Sequence, residues 1–425
     1  MAPTRVVDSP RHMKLPVYLF VGLWASLMGM QAPGSQRLDA PFLSMLRAEA
    51  ARSHPAAAAG KQRAAASGQD LQAVRLWEDP RVGFGFMAAN RMMRADQGDL
   101  ILGIEQTLPK PGLFDAQRRK AAAVHRAEVE NARGAVLTAG AEAARNAIEL
   151  ALADESITLQ QAQITWLGAM TENARQMATS PMGSNIDALR METELAKEQQ
   201  MLESACRNRA GFARKLNLTL GRPLDAPWPA LKLPATPPAV PIALAEIARV
   251  PHANPQVRAM KEMAGAAAAE SGMARRERQP EFSLGLDTSL YSRGDWRSTT
   301  VAVKMSLPWI NESSYQAKIS SAQNRELAAG HDVEALRREV AAEILTSITD
   351  AANAAAQARA YSGEVHDKAL QASRAIEAAW ISSKAPLTDL LDASRMLFSI
   401  RLEQRRFIAM QLAALEQLLS LVPTR

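Results

Sequence analysis

Two stretches decide how this chain reads: Pro80–Gly112, PRVGFGFMAANRMMRADQGDLILGIEQTLPKPG, and Pro280–Trp309, PEFSLGLDTSLYSRGDWRSTTVAVKMSLPW. In the first, Val82, Phe84 and Phe86 alternate with Gly83 and Gly85, and Leu100, Leu102 and Ile104 alternate with Gly103, Glu105 and Thr107. In the second, Phe282, Leu284, Leu286 and Leu290 oppose Glu281, Ser283, Asp287 and Ser289. Its last run sets Val301, Val303, Met305 and Leu307 against Thr300, Ala302, Lys304 and Ser306. A period of two is the mark of a strand with one apolar and one polar face. Strands are therefore expected at about 81–90, 99–108, 281–291 and 298–307, with polar loops at Asn90–Asp99 and Tyr291–Ser298. About ten residues is the length a tilted strand needs to cross a bilayer. Hairpins packed on a soluble core would show the same alternation.

The two stretches are copies. Pro55 and Pro255, Pro80 and Pro280, and Gly85 and Gly285 each differ by 200 positions, and Pro109 and Pro308 by 199. Such regularity marks a tandem duplication with a period near half the chain. Residues 35–222 are expected to form the first repeat and 242–425 the second, joined by a proline-rich linker at 223–241 that holds Pro227, Pro229, Pro234, Pro237 and Pro238. Each repeat opens with a short helix, Leu38–Ser53 or Ile242–Val250, that runs into His54-Pro55 or Asn254-Pro255, where proline suits the first turn of the next helix. Ahead of them, residues 1–34 carry Arg11, His12 and Lys14 and an apolar segment from Leu15 to Met30, the layout of a signal peptide, with Met13 a plausible start.

Behind each hairpin lies a long run without proline, from Gly112 to Pro181 and from Pro308 to Pro386. About seventy helical residues would reach roughly 100 Å, so these rods need partners along their length. Helices are expected at 112–179 and 311–383, with returning helices at 184–220 and 387–421. Seams rich in small residues, such as Val136, Ala139, Ala143 and Ala147, or regularly apolar, such as Val333, Leu336, Val340, Ile344 and Ile348, suit close helix pairing. The turns into the returning helices also repeat, with Asp187 aligned on Asp389 (389 − 187 = 202).

Charge and composition narrow the function classes. The net charge of +6 comes from intermixed acidic and basic residues rather than a basic block, so nucleic acid is not an expected partner. The single Cys206 admits no intramolecular disulfide. No HExxH, P-loop, GxSxG or strand-linked GxGxxG motif is present, His125, His331 and His366 stand singly on helices, and no catalysis, cofactor or metal site is expected. The 19 methionines, Met87, Met92, Met93, Met177, Met182 and Met191 among them, read as seam fillers rather than metal ligands.

Four strands cannot close a barrel, and an open sheet edge cannot face lipid because its amides have no partner there. Three copies would supply twelve strands, in keeping with the even-numbered barrels of outer membranes. The grammar of the repeats, with DPRVGFGF and QPEFSLGL opening strands, LPKPG and LPW closing hairpins and PLTDLLDASRMLFSIRLEQ opening the last helix, resembles the TolC family of outer-membrane efflux proteins. The resemblance implies a mostly α protein with a membrane β-barrel: a homotrimer whose twelve-stranded barrel continues as an α-helical tunnel in the periplasm. It also implies a periplasmic adaptor and an inner-membrane pump as partners, and a periplasmic entrance constricted by acidic residues before the last helix. Asp389 and Asp392 occupy those positions. Asp187 is the weaker candidate, because Arg190 stands where the second repeat has Asp392. Rings of such carboxylates would attract cations. The segments EDPRVGFGF, LGIEQTLPKPG and RRKAA resemble heavy-metal efflux members of the CzcC and CusC type, while a multidrug or type I secretion duct, or a structural periplasmic or surface coiled coil, are the other readings.

Overall fold

The computed structural model describes residues 35–87, 99–179, 185–236, 238–239, 250–291 and 294–422. The leader, the helix expected at Ile242–Val250 except Val250 itself, and most of the first hairpin loop, with Met92 and Met93, lie outside these, as does Met182. The first repeat contains β1 (Gln36–Arg37), α1 (Ala40–Ser53), α2 (Pro55–Ala73), β2 (Arg81–Met87), β3 (Asp99–Thr107), α3 (Leu113–Ala178) and α4 (Asn185–Leu220). After β4 (Leu231–Lys232) come α5 (Pro255–Glu277), β5 (Phe282–Tyr291), β6 (Trp296–Met305), α6 (Glu312–Ser362), α7 (Glu364–Ile381) and α8 (Leu387–Leu421).

Helix starts follow local chemistry. His54 Nδ1 accepts from Ala56 N (3.2 Å) and Asn254 Oδ1 accepts from Gln256 N (2.8 Å), each with proline in the first turn. Both side chains satisfy amides that a helix leaves without internal partners. Asn254 does more: its Nδ2 donates to Leu421 O (2.9 Å), tying the start of α5 to the end of α8. Gly112, at φ +68°, turns the chain into α3, and a side chain there would strike Arg276.

The rod expected as one helix over 311–383 is two. The chain breaks at Gly363, where Gly363 N and Ser362 Oγ both donate to Arg359 O (3.1 and 3.0 Å). From Glu312 to Ile381 there are 70 residues (381 − 312 + 1), against 66 in α3.

The linker also differs from a plain spacer. Its β4 pairs in parallel with β1, Gln36 opposite Leu231 and Arg37 opposite Lys232. Around this clasp lies the largest apolar cluster, in which Leu38, Leu43 and Leu46 meet Trp228, Leu231 and Leu233 against the small residues Ala143, Ala144, Ala147 and Ala151 of α3. Buried Asn217 accepts from Trp228 Nε1 (2.6 Å) and donates to Leu224 O and Ala226 O (3.0 and 2.9 Å). Asp154 receives Arg209 Nε (2.5 Å) and Leu231 N (2.9 Å). Arg222 binds Glu49 through two bonds and lies 4.6 Å over the Trp228 ring. The linker is bolted to the middle of the rods.

Candidate channel surfaces

The four long strands form one antiparallel sheet in the order β2-β3-β5-β6, so that β3 and β5, from different repeats, pair at its centre. Directly opposed residues share a face. One row runs Val82, Ile104, Leu286, Val301, and others contain Phe84 with Leu102 and Leu284 with Val303. These side chains form an apolar face open to the surroundings, with Phe84 78% and Val301 73% exposed. No helix among the described residues is long and apolar enough to cross a membrane.

The opposite face is polar and carries a paired network at its centre. Glu105 accepts from Lys304 Nζ (2.6 Å) and Ser283 Oγ (2.7 Å), joining β3, β5 and β6. Asp287 lies against Gly103, where any side chain would collide with its carboxylate. Both outer strands, β2 and β6, keep one edge without a partner among the described residues.

At the far end of the rods, one apolar cluster gathers the two turns. Leu167, Met170 and Ala174 of α3 pack with Ala188 and Met191 of α4, Trp380 of α7 and Leu387 and Leu390 of α8. Met191 is fully buried there and Met177 packs against the cluster, a seam-filling use of methionine. Helix α7 ends on Ser383 at φ 55°, with Lys384 N donating to Ala379 O (2.7 Å) and Ser383 N to Trp380 O (2.9 Å). Those bonds close the last carbonyls before Pro386 starts the next helix.

Asp389 lies in the first turn of α8 and is exposed, a position where the helix N-terminus favours a carboxylate by about 0.3–1 kcal/mol. It accepts from Thr388 Oγ1 (3.5 Å) and makes no ion pair among the described residues. Asp392 is exposed too but meets Arg395 Nη1 at 3.5 Å. Asp187 sits in the first turn of α4, half-buried, with Arg190 exposed beside it in sequence. The apolar cluster thus brings Asp187, Asp389 and Asp392 to the same end of the molecule.

Sequence reasoning missed Arg395 and Glu194. Arg395 reaches from α8 to Glu194 of α4 (2.9 Å), whose carboxylate is only 12% exposed, and so ties the two returning helices together. Its signal was the arginine three residues after Asp392, the spacing of neighbours on a helix. Nearby, burial pushes the Glu198 carboxyl up from its usual range, with Glu194 adding to the effect. Cys206 is exposed, and His125 lies 3.0 Å from Ser67 Oγ. No group of three or more His, Cys, Asp or Glu among the described residues could hold a metal ion.

Comparison with known proteins agrees with this geometry. A family model described as outer membrane efflux protein matches residues 248–422. No curated protein matches the chain by sequence. Among solved structures, CusC is similar over 90% of this chain and 92% of its own, with a TM-score of 0.79 at 14% identity. VceC from Vibrio cholerae covers 89% of this chain and 95% of its own, with a TM-score of 0.75 at 15% identity. The open state of the Neisseria gonorrhoeae MtrE channel covers 89% of each chain, with a TM-score of 0.73 at 19% identity. Residues 248–422 thus match the family of outer membrane efflux proteins, and the chain has the fold of these solved outer-membrane channels.

Proposed function

We propose that three copies of this chain form an outer-membrane duct that receives substrates from a periplasmic adaptor and an inner-membrane pump and releases them outside the cell. The carrying observation is the sheet: its apolar face is exposed, its polar face carries the Glu105–Ser283–Lys304 network, and both edges are open among the described residues. Lipid cannot satisfy those edge groups, so closure by further copies removes the cost. Twelve strands then enclose the polar faces as a lumen, and the rods continue it as a helical tunnel. The duct is passive, with energy supplied by the pump.

At the periplasmic end, Asp389 and Asp392, with Asp187 as the lesser contributor, form the acidic constriction. Arg395 offsets Asp392, which leaves Asp389 as the carboxylate with the strongest pull on cations. A negative ring favours divalent metal cations as cargo on grounds of charge. The test is purification of the full chain from outer membranes followed by planar-bilayer recording. A trimer by light scattering with cation-selective currents is expected. Recovery as a soluble periplasmic coiled coil without currents would overturn the reading.

A further inference from the structure

Resting on that trimeric reading, we propose that neighbouring sheets join in one register, with Val303 opposite Phe84 of the next copy, Met305 opposite Val82 and Val301 opposite Phe86. All three pairs share one sum: 303 + 84 = 305 + 82 = 301 + 86 = 387.

Two hydrogen bonds settle which main-chain groups point to each open edge. Leu108 N donates to Phe282 O (2.8 Å), and Ser306 N donates to Glu281 O (2.9 Å). Along an antiparallel ladder the bonded pairs recur at every second residue. Phe282, Leu284 and Leu286 therefore turn their N–H and C=O groups to β3, and Ser283, Gly285 and Asp287 turn theirs to β6. Carried outward, the same alternation leaves Val301, Val303 and Met305 facing the free edge of β6. It leaves Val82, Phe84 and Phe86 facing the free edge of β2. Both sets also lie on the apolar face. One junction can then pair every free group and keep the apolar face continuous, provided that the two residue numbers sum to an odd value.

Among the odd sums, the strand ends choose. A sum of 385 sets Met305 opposite Pro80, which has no N–H to give. A sum of 389 sets Val82 opposite Leu307, where the backbone (φ −114°, ψ 75°) has left the strand ahead of Pro308. At 387 the strands end flush. Direct partners lead from Phe84 to Leu102, Thr288 and Thr299, and the seam returns to the next β2 four residues higher (387 − 299 = 88; 88 − 84 = 4). Four residues of ~3.3 Å against four strand steps of ~4.8 Å is a tilt of about 35°, within the roughly 35–45° that closed barrels adopt. The lower sum gives about 20° and the higher about 46° by the same geometry. Just below the ladder, the same register brings Leu76 and Trp77 of one copy beside Trp309 and Ile310 of the next. These are large apolar residues left between 47% and 70% exposed in the single chain.

Cysteine pairs test the register in the full chain, with Cys206→Ser as background. Gly85→Cys with Ala302→Cys (85 + 302 = 387) places two thiols on the lumen face in a non-hydrogen-bonded pair, with Cα atoms ~4.5 Å apart, within disulfide reach. A Cβ on Gly85 makes ordinary contact with Ile101 Cβ at 3.5 Å. Mild oxidation is expected to convert most of the protein to covalent trimers that a reductant reverses. The shifted pairs Gly83→Cys with Ala302→Cys and Met87→Cys with Ala302→Cys should cross-link at least ten-fold less. Stronger cross-linking by a shifted pair, in protein that light scattering shows to be trimeric, overturns the register. Protein that is monomeric in every variant and in the parent overturns the trimeric reading itself.

Discussion

The two repeats share a plan but divide the labour. The first keeps α3 unbroken for 66 residues and carries most of the polar bolts that fasten the linker, while the second breaks its rod at Gly363 and carries the two carboxylates proposed for the entrance. The ends of the returning helices show how. Asn217 of α4 holds Trp228 and two linker carbonyls, whereas Leu418 of α8 is buried in an apolar cluster with Val257, Val340 and Ile344. Lys215 of α4 pairs with Glu149 in the open (2.9 Å), whereas Glu416 of α8 is buried 3.5 Å from Arg47. Duplication preserved the backbone, and each copy then adapted its buried polar groups to a different neighbour: the linker in one case, α6 and the end of the chain in the other.

The sheet is where the repeats should behave alike, and it carries the largest expected effect. Phe84→Arg in the first repeat and Val303→Arg in the second should each weaken membrane assembly by roughly 2–4 kcal/mol near the bilayer midplane, whereas Thr300→Arg on the polar face should be tolerated. The measure is the trimer fraction extracted from outer membranes as urea rises. Equal tolerance on both faces would contradict a lipid-facing apolar surface.

Exchanging the buried residues Asn217 and Leu418 breaks the comparison from the other side. Asn217→Leu strands the Trp228 indole N–H and two carbonyls and should cost about 2–3 kcal/mol. Leu418→Asn buries an unpartnered amide and should cost a similar amount, about 1–3 kcal/mol. Chemical denaturation reads both, and limited proteolysis should find new cuts at 223–236 only in the first variant. Cuts there in both would mean that the linker is not held by Asn217.

Acid–base behaviour separates two sites within the second repeat more finely. Burial raises the Glu416 carboxyl above its usual value against the opposing pull of Arg47. A carboxyl raised in the folded state contributes stability that is full below its unfolded value near 4.5 and is lost as pH rises through the folded value. Glu416→Gln should therefore flatten the fall in melting temperature above pH 4.5. Glu334 has the opposite sign: Arg337 and Arg338 hold it at about 2. Its contribution is present above about 4.5 and lost as pH falls towards 2. Glu334→Gln should flatten only that acid limb, and an unchanged acid limb would refute the assignment.

The smallest effects belong to the entrance. Asp389→Asn should relieve block by divalent cations more than Asp392→Asn, because Arg395 already offsets Asp392. Arg190→Asp, which copies the second repeat's pattern into the first, should deepen that block. Single-channel titrations read each change, and equal effects of Asp389→Asn and Asp392→Asn would show that Arg395 does not shield the second carboxylate.

Much of this was legible in the chain. Period-two alternation marks the strands because successive side chains point to opposite faces, and it named the apolar residues that the structure leaves exposed. Prolines marked helix starts because their missing N–H is harmless there, and the resemblance to outer-membrane efflux proteins agrees with the matched family model and fold. Other features depended on residues far apart in the chain. The joining of β3 to β5 across the repeats, the β1–β4 clasp and the Glu194–Arg395 pair are contacts whose partners carry no shared local pattern. The break at Gly363 was hidden because alanine-rich helix continues on both sides of it. By itself, the sequence determined the elements, their faces and their repetition, since those follow from local backbone geometry. Only the tertiary structure decided which elements meet, where the rod breaks, and that Arg395 also binds Glu194, because those depend on packing between segments up to two hundred residues apart.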